Sequence, residues 1–262
     1  VIFSLGSFQV KYYGVMYIVA FSLTFFLLGR RISNKEYEIK KDLLENYFFI
    51  VILYVLIGGR LGYVLFYNFS YFLHNPLEIF LPFSLENGFR FTGIAGMSYH
   101  GAVIAAAAGT YLFCRKYKLN FWGFTDFIVP AVPLGYTFGR LGNFINGELY
   151  GRVTHSAIGM YFPLAGDEVL RHPSQLYEAV FEGLFIFTVL WTLRNKKLPG
   201  GFFISAYLIL YGTVRFVIEY FREPDDHLGF VLLNFSMGQV LCGVMILTGV
   251  ILLFISKRKS SA

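Results

Sequence analysis

The sequence predicts an all-α, polytopic integral membrane protein of seven transmembrane helices, its N-terminus outside and its C-terminus cytoplasmic. Three observations carry this. The 262 residues are 56% hydrophobic and 15% charged, where an ordinary soluble domain carries about 25% charged residues, and the mean hydropathy is +0.58. Apolar runs recur at roughly 13–29, 46–69, 94–114, 122–138, 174–193, 202–221 and 238–256, each near the ~20 residues that cross a bilayer as a helix. Lys and Arg gather in alternate connections: 14 of the 22 basic residues lie in the 30–45, 115–121 and 194–201 loops and the tail, against six on the other side. The positive-inside rule makes the richer side cytoplasmic.

Each run has its own signature. The first is followed by Arg30, Arg31, Lys35, Lys40 and Lys41 and not by a small-residue cleavage site, so a spanning helix and not a cleaved signal peptide is expected. The second holds Arg60, read as structural because an unpaired charge at mid-membrane costs several kcal/mol. The third opens on Ser98-Tyr99-His100-Gly101. The fourth is the weakest, with Pro130, Pro133 and Asp126, and is kept because omitting it spoils the alternation of charge. The fifth follows His172-Pro173-Ser174, where His172 and Ser174 read as its cap. The sixth contains Arg215 and Glu219 at the i,i+4 spacing of a helical ion pair, and the seventh runs from 238 to 256.

No linker or low-complexity tract divides the chain, so residues 1–262 read as a single transmembrane domain with an extracytoplasmic head around 139–173. Cys114 and Cys242 form no zinc or redox motif, and on this topology they sit near opposite faces, which argues against a disulfide. GRLGYVLFYN at 59–68 echoes GRLGNFINGE at 139–148. Shared small-residue packing explains the echo better than a structural repeat.

Polar residues fall into five clusters at the outward helix ends: Tyr12 to Gly14, Ser98 to Gly101, 139–152, His172 to Glu178 and Tyr211 to Asp225. Convergence of these ends would build an Arg-rich chamber. Arg140 and Arg215 suit a phosphate, because a planar guanidinium binds oxyanions through two parallel bonds. The glycines at 139, 142, 147 and 151 allow close backbone approach and positive φ. Arg171 and Arg222 are equally readable as headgroup-level snorkelling residues. There is no His-Glu-x-x-His pair, Gly-x-Ser-x-Gly elbow or Walker A loop. No metal, cofactor or nucleic acid is therefore expected, and a nucleophile would have to come from a substrate.

These motifs resemble those of the prolipoprotein diacylglyceryl transferase family. Tyr-Tyr-Gly at 12–14, GMSYHG at 96–101, GRLGNFINGELYGR at 139–152, RHPSQLYE at 171–178 and YGTVRFVIEYFREPD at 211–225 carry the likeness. It covers nearly the whole chain, with Ala102 where many members have a second glycine. The resemblance implies a bacterial inner-membrane enzyme whose active site faces the extracytoplasmic side. Its partners would be phosphatidylglycerol and prolipoprotein signal peptides bearing a lipobox cysteine, joined as a thioether with release of glycerol phosphate. His100, Arg140 and Arg215 would be catalytic, His100 as the base that takes the thiol proton. Tyr13, Asn143, Asn146, Glu148, Gly151 and Glu219 would join the two arginines in binding the headgroup. A lipid transporter or a lipoprotein scaffold are the rival classes, disfavoured by polar clusters that line no continuous path and by arginines that a scaffold would not need.

Overall fold

The computed structural model describes residues 3–5, 8–10, 12–81, 83–84, 90–91, 96–223, 230–232 and 235–260. They form two compact units, Glu38–Phe121 and the union of Val1–Tyr37 with Trp122–Ala262. After a short antiparallel hairpin (Phe3–Leu5 with Phe8–Val10) come α1 (Tyr12–Ser33), α2 (Lys41–Tyr67), α3 (Phe69–His74) and α4 (Tyr99–Lys116). Then follow α5 (Phe121–Ile128), α6 (Val132–Asn146), α7 (Ser174–Leu193), α8 (Phe202–Ile218) and α9 (Met237–Ser260). The protein is thus mostly helical, with small hairpins that the all-α expectation lacked. Gly14–Ser33, Lys41–Tyr67, Ser174–Leu193 and Met237–Ser256 are long and apolar enough to cross a bilayer, and α8 is a shorter apolar helix. Bulky side chains such as Ile18, Phe26, Phe49 and Phe254 stand exposed on their outer faces, as lipid-facing residues do.

The fourth run differs from its expectation. It is two helices, α5 and α6, separated by a 3₁₀ turn at Val129–Ala131. Pro130 and Pro133 lack the N–H groups that would carry an α-helical ladder through this point. Beyond the break α6 continues to Asn146, so the first half of the 139–152 motif is helical and not loop. Gly147 ends it with φ 71°, a left-handed cap that glycine reaches without steric cost. Inside α7, Glu178–Phe185 form a π-helical stretch. Such wide turns are uncommon and are frequently found at functional sites.

In the larger unit, α1 packs along α6, α6 along α7, and α8 along α9. Ile186, Leu190, Phe203 and Tyr211 form an apolar core between α7 and α8. Asp126 caps α8 from a distance, its carboxylate accepting the Gly201 amide at 2.6 Å and the Phe203 amide at 3.0 Å. Arg31, at the end of α1, donates to the Phe127 carbonyl and pairs with Glu36 at 2.8 Å, while Arg194 lies 3.3 Å from the same carboxylate.

In the smaller unit, α2 and α4 meet through glycines: a Cβ on Gly101 would lie 2.3 Å from the Gly58 carbonyl and 2.8 Å from Gly62 Cα. In this half the echoed Gly-Arg-Leu-Gly segment is a packing solution, as expected. Arg60 is buried and donates to the carbonyls of Ile79, Glu78 and Gly96 at 2.7, 2.6 and 3.3 Å. Its guanidinium also stands 4.9 Å from the Phe72 ring centroid. It staples the segment after α2 back onto that helix, which matches the structural reading. Cys114 and Cys242 are both free and buried.

Candidate active site

Three helices of the larger unit deliver charge to one place. From α6, Arg140 Nε lies 2.6 Å from Glu178 Oε2 on α7 and donates to the Tyr136 hydroxyl at 2.8 Å. From α8, Arg215 Nη1 lies 3.1 Å from Glu178 Oε1 and 3.6 Å from Glu182 Oε1, and Arg215 Nη2 reaches Glu219 Oε2 at 3.0 Å. Just past α8, Arg222 Nη1 sits 2.7 Å from Glu178 Oε1. Arg140 and Arg215 therefore share one carboxylate, each holding a different oxygen. The Glu178 and Glu182 side chains are 1% and 0% exposed, whereas the three arginine side chains keep 13–17%. Charges this buried persist only when paired.

The sequence-predicted residues divide around this cluster. Arg140, Arg215 and Glu219 belong to it. Asn143 joins through its Oδ1, 3.4 Å from Arg140 Nη1, while its amide and that of Asn146 donate to Glu148 Oε1 at 3.0 and 3.3 Å. Glu148 thus fixes two amides, and its backbone carbonyl accepts from Gln175 at 2.7 Å. Gly151 pairs with Arg222 as a β-bridge, and a Cβ there would meet the Phe221 carbonyl at 2.3 Å and the His172 carbonyl at 2.8 Å. Close backbone approach, and not positive φ, is what this glycine supplies. Tyr13 lies in α1 with its side chain outside the described residues. Pro224, Asp225 and His227 also fall outside them. His100 is exposed in the first turn of α4, whose N-cap Ser98 accepts from the Gly101 amide at 3.3 Å; it belongs to the other unit.

One expectation is corrected. His172 and Ser174 do not cap α7: Ser174 donates to the Leu149 carbonyl at 3.0 Å, and His172 Nδ1 lies 3.0 Å from the Tyr177 hydroxyl. Those bonds tie the head segment to the helix start. Arg222 and Arg171, each read with even weight as a snorkelling residue, are both ion-paired. Arg222 belongs to the cluster, and Arg171 pairs with Asp167 at 2.6 Å and Glu223 at 3.0 Å. The Arg171 hydrogen bond holds the exposed Asp167 carboxyl below the ordinary carboxylate range and raises the guanidinium.

Glu148 and Glu219 are among the sequence-predicted residues, whereas Glu178 and Glu182 are not. Glu178 and Glu182, one turn apart in an otherwise apolar run, were the available signal, since an intramembrane carboxylate marks a site by default. Tyr136, which donates to Glu182 and accepts from Arg140, carried no such signal. Ser236 and Gln239 form a reciprocal capping box at the start of α9, and Ser236 Oγ donates to Glu219 at 3.1 Å. Their Ser-x-x-Gln spacing was legible.

A family model of prolipoprotein diacylglyceryl transferases matches residues 1–255. A phosphatidylglycerol–prolipoprotein diacylglyceryl transferase of Chlorobaculum tepidum is 54% identical over 99% of this chain and 90% of that protein. Proteins of the same name from Desulfotalea psychrophila and Campylobacter jejuni are 44% and 43% identical, over 97% and 98% of the chain. A match of this length and closeness, on a multi-pass helical membrane chain, settles the lineage: the chain belongs to the prolipoprotein diacylglyceryl transferase family.

Proposed function

We propose that this protein moves the diacylglyceryl group of phosphatidylglycerol onto the lipobox cysteine thiol of a prolipoprotein, forming a thioether and releasing glycerol phosphate. The observation that carries this reading is the sharing of Glu178 by Arg140 and Arg215, guanidiniums from different helices gathered at one anionic point. In the reaction, charge develops on the phosphodiester oxygen that leaves the terminal glycerol carbon as sulfur attacks. Arg140 and Arg215 stabilise that oxygen, a contribution of about 3–4 kcal/mol for a preorganised donor. An unperturbed thiol, with a pKa of about 8.5, is only a few per cent ionised near neutrality. His100 takes its proton as general base. Asn143, Asn146, Glu148 and Gly151 shape the headgroup pocket, Tyr13 hydrogen-bonds the headgroup, and Glu219 orients Arg215.

The whole chain works as one membrane-embedded domain in the bacterial inner membrane. It crosses seven times, counting α5 and α6 as one broken span, with the N-terminus, the 139–173 head and the reacting centre on the extracytoplasmic side. The direct test incubates purified protein in phosphatidylglycerol nanodiscs with a lipobox peptide. Glycerol phosphate is expected in equal amounts to diacylglyceryl-modified peptide. Lipid movement without thioether formation would instead support a transporter.

A further inference from the structure

Three guanidiniums and three carboxylates make up the buried cluster: Arg140, Arg215 and Arg222 with Glu178, Glu182 and Glu219. Its formal charge is already zero, and a lipid phosphodiester would bring one more negative charge into the same space. An unbalanced charge at membrane depth is costly, so one anion must give way.

The geometry singles out which. Glu178 offers its two oxygens to the arginines as a phosphodiester would offer its two unesterified ones, Oε2 to Arg140 at 2.6 Å and Oε1 to Arg215 and Arg222 at 3.1 and 2.7 Å. Glu182 is held differently. It accepts the Tyr136 hydroxyl, its Oε1 has no hydrogen-bond partner, and its nearest cation is Arg215 at 3.6 Å. Glu219 is bound on two sides, by Arg215 and by Ser236. Among the described residues, the groups that face Glu178 and Glu182 are Tyr136 and Arg140 from α6, Arg215 from α8, Cys242 from α9 and Arg222 beyond α8, while Tyr211 and Glu219 face Arg215.

Resting on the phosphatidylglycerol reading, we infer that Glu178 is a resident anion occupying the phosphate position, and that the lipid displaces it from the arginines while it takes up one proton from water. A carboxylate stripped of its guanidiniums in a buried site is stable only when neutral. The proton goes to a Glu178 oxygen, no covalent bond to the lipid changes in this step, and the cluster with lipid stays at zero charge. Glu182 and Glu219 remain in place and keep the arginines positioned.

Calorimetry of dihexanoyl phosphatidylglycerol binding to the intact detergent-solubilised protein, in two buffers of different ionisation enthalpy, counts the proton. About one proton taken up per lipid is expected, with affinity falling about tenfold per pH unit as pH rises. Glu178→Gln, which keeps the shape and removes the charge, should bind the lipid more tightly than the native chain and take up no proton. Glu182→Gln should keep the uptake. Binding of the native protein without proton uptake, or uptake that persists in Glu178→Gln, overturns the inference. The native titration decides alone if the variant fails to fold. An Arg140→Ala protein that binds the lipid as well as the native one would instead sink the phosphate reading itself.

Discussion

At the scale of single residues, geometry separates side chains that hold charge from those that hold backbone. Arg140 uses Nε toward Glu178 and Tyr136 while Nη1 faces Asn143. An ammonium group cannot reproduce that fork. Arg140→Ala is expected to lower kcat/KM by at least about a hundredfold, and Arg140→Lys to fall within about tenfold of it; near-native turnover with Lys would remove bidentate recognition. His100→Gln should abolish transfer and leave lipid affinity unchanged, checked by binding and single-turnover assays on one preparation. Gly151→Ala should be severe for a different reason, since its methyl would strike the Phe221 carbonyl at 2.3 Å. Loss of activity there should come with changed protease sensitivity of the 151–172 segment. Asp167, held down by Arg171, contributes to the head while ionised. Its folded pKa is depressed, so that contribution is present above the ordinary carboxylate pKa and lost as pH falls through the lowered one. Carboxyl carbon shifts followed by NMR should accordingly show Asp167 titrating at lower pH than an ordinary aspartate, and moving up in Arg171→Ala.

At the scale of elements, the apolar pattern was readable wherever lipid-facing length alone defines a helix, and the fifth run matches α7 at both ends. It misled where backbone chemistry competes with hydropathy. The prolines at 130 and 133 divide the fourth run, and the polar GRLGNFIN segment, read as the start of a head, is the continuation of α6. The π stretch has no period that hydropathy reveals. Contacts between helices were legible only where glycine marks them. A Cβ on Gly183 would fall 2.0 Å from Thr137 Oγ1 and 3.0 Å from Thr137 Cα, so α6 and α7 must separate to admit it. Gly183→Ala is expected to cost about 1–3 kcal/mol, read as reduced thermal stability in detergent. Asp126→Ala, which removes the carboxylate from the Gly201 and Phe203 amides, should cost about 1 kcal/mol or slightly more.

At the scale of the whole molecule, composition and loop charge were enough to identify a multi-pass membrane chain, because burying backbone in lipid leaves few alternatives to helices. Arg140, Arg215 and Glu219 were legible as site residues, whereas Arg222, Glu178 and Glu182 were not. Arg140 and Arg215 stand out in greasy surroundings, whereas the partner that unites them is visible only once α6, α7 and α8 are brought together. Orientation can be measured directly, since Cys114 and Cys242 are 2% and 3% exposed and give little background labelling. A cysteine at the exposed Ser156 should react with an impermeant maleimide from the extracytoplasmic face, and one at the exposed Asn195 only from the cytoplasmic face.

The wide turns at Glu178–Phe185 set the rotational phase between the two ends of α7. Successive residues of an ordinary helix are about 100° apart, so excising a single residue near Phe185 and letting the strand wind tighter would swing both glutamates away from the arginines while leaving every side chain chemically intact. The enzyme should for that reason forgive many conservative exchanges along this stretch and tolerate no change in its length.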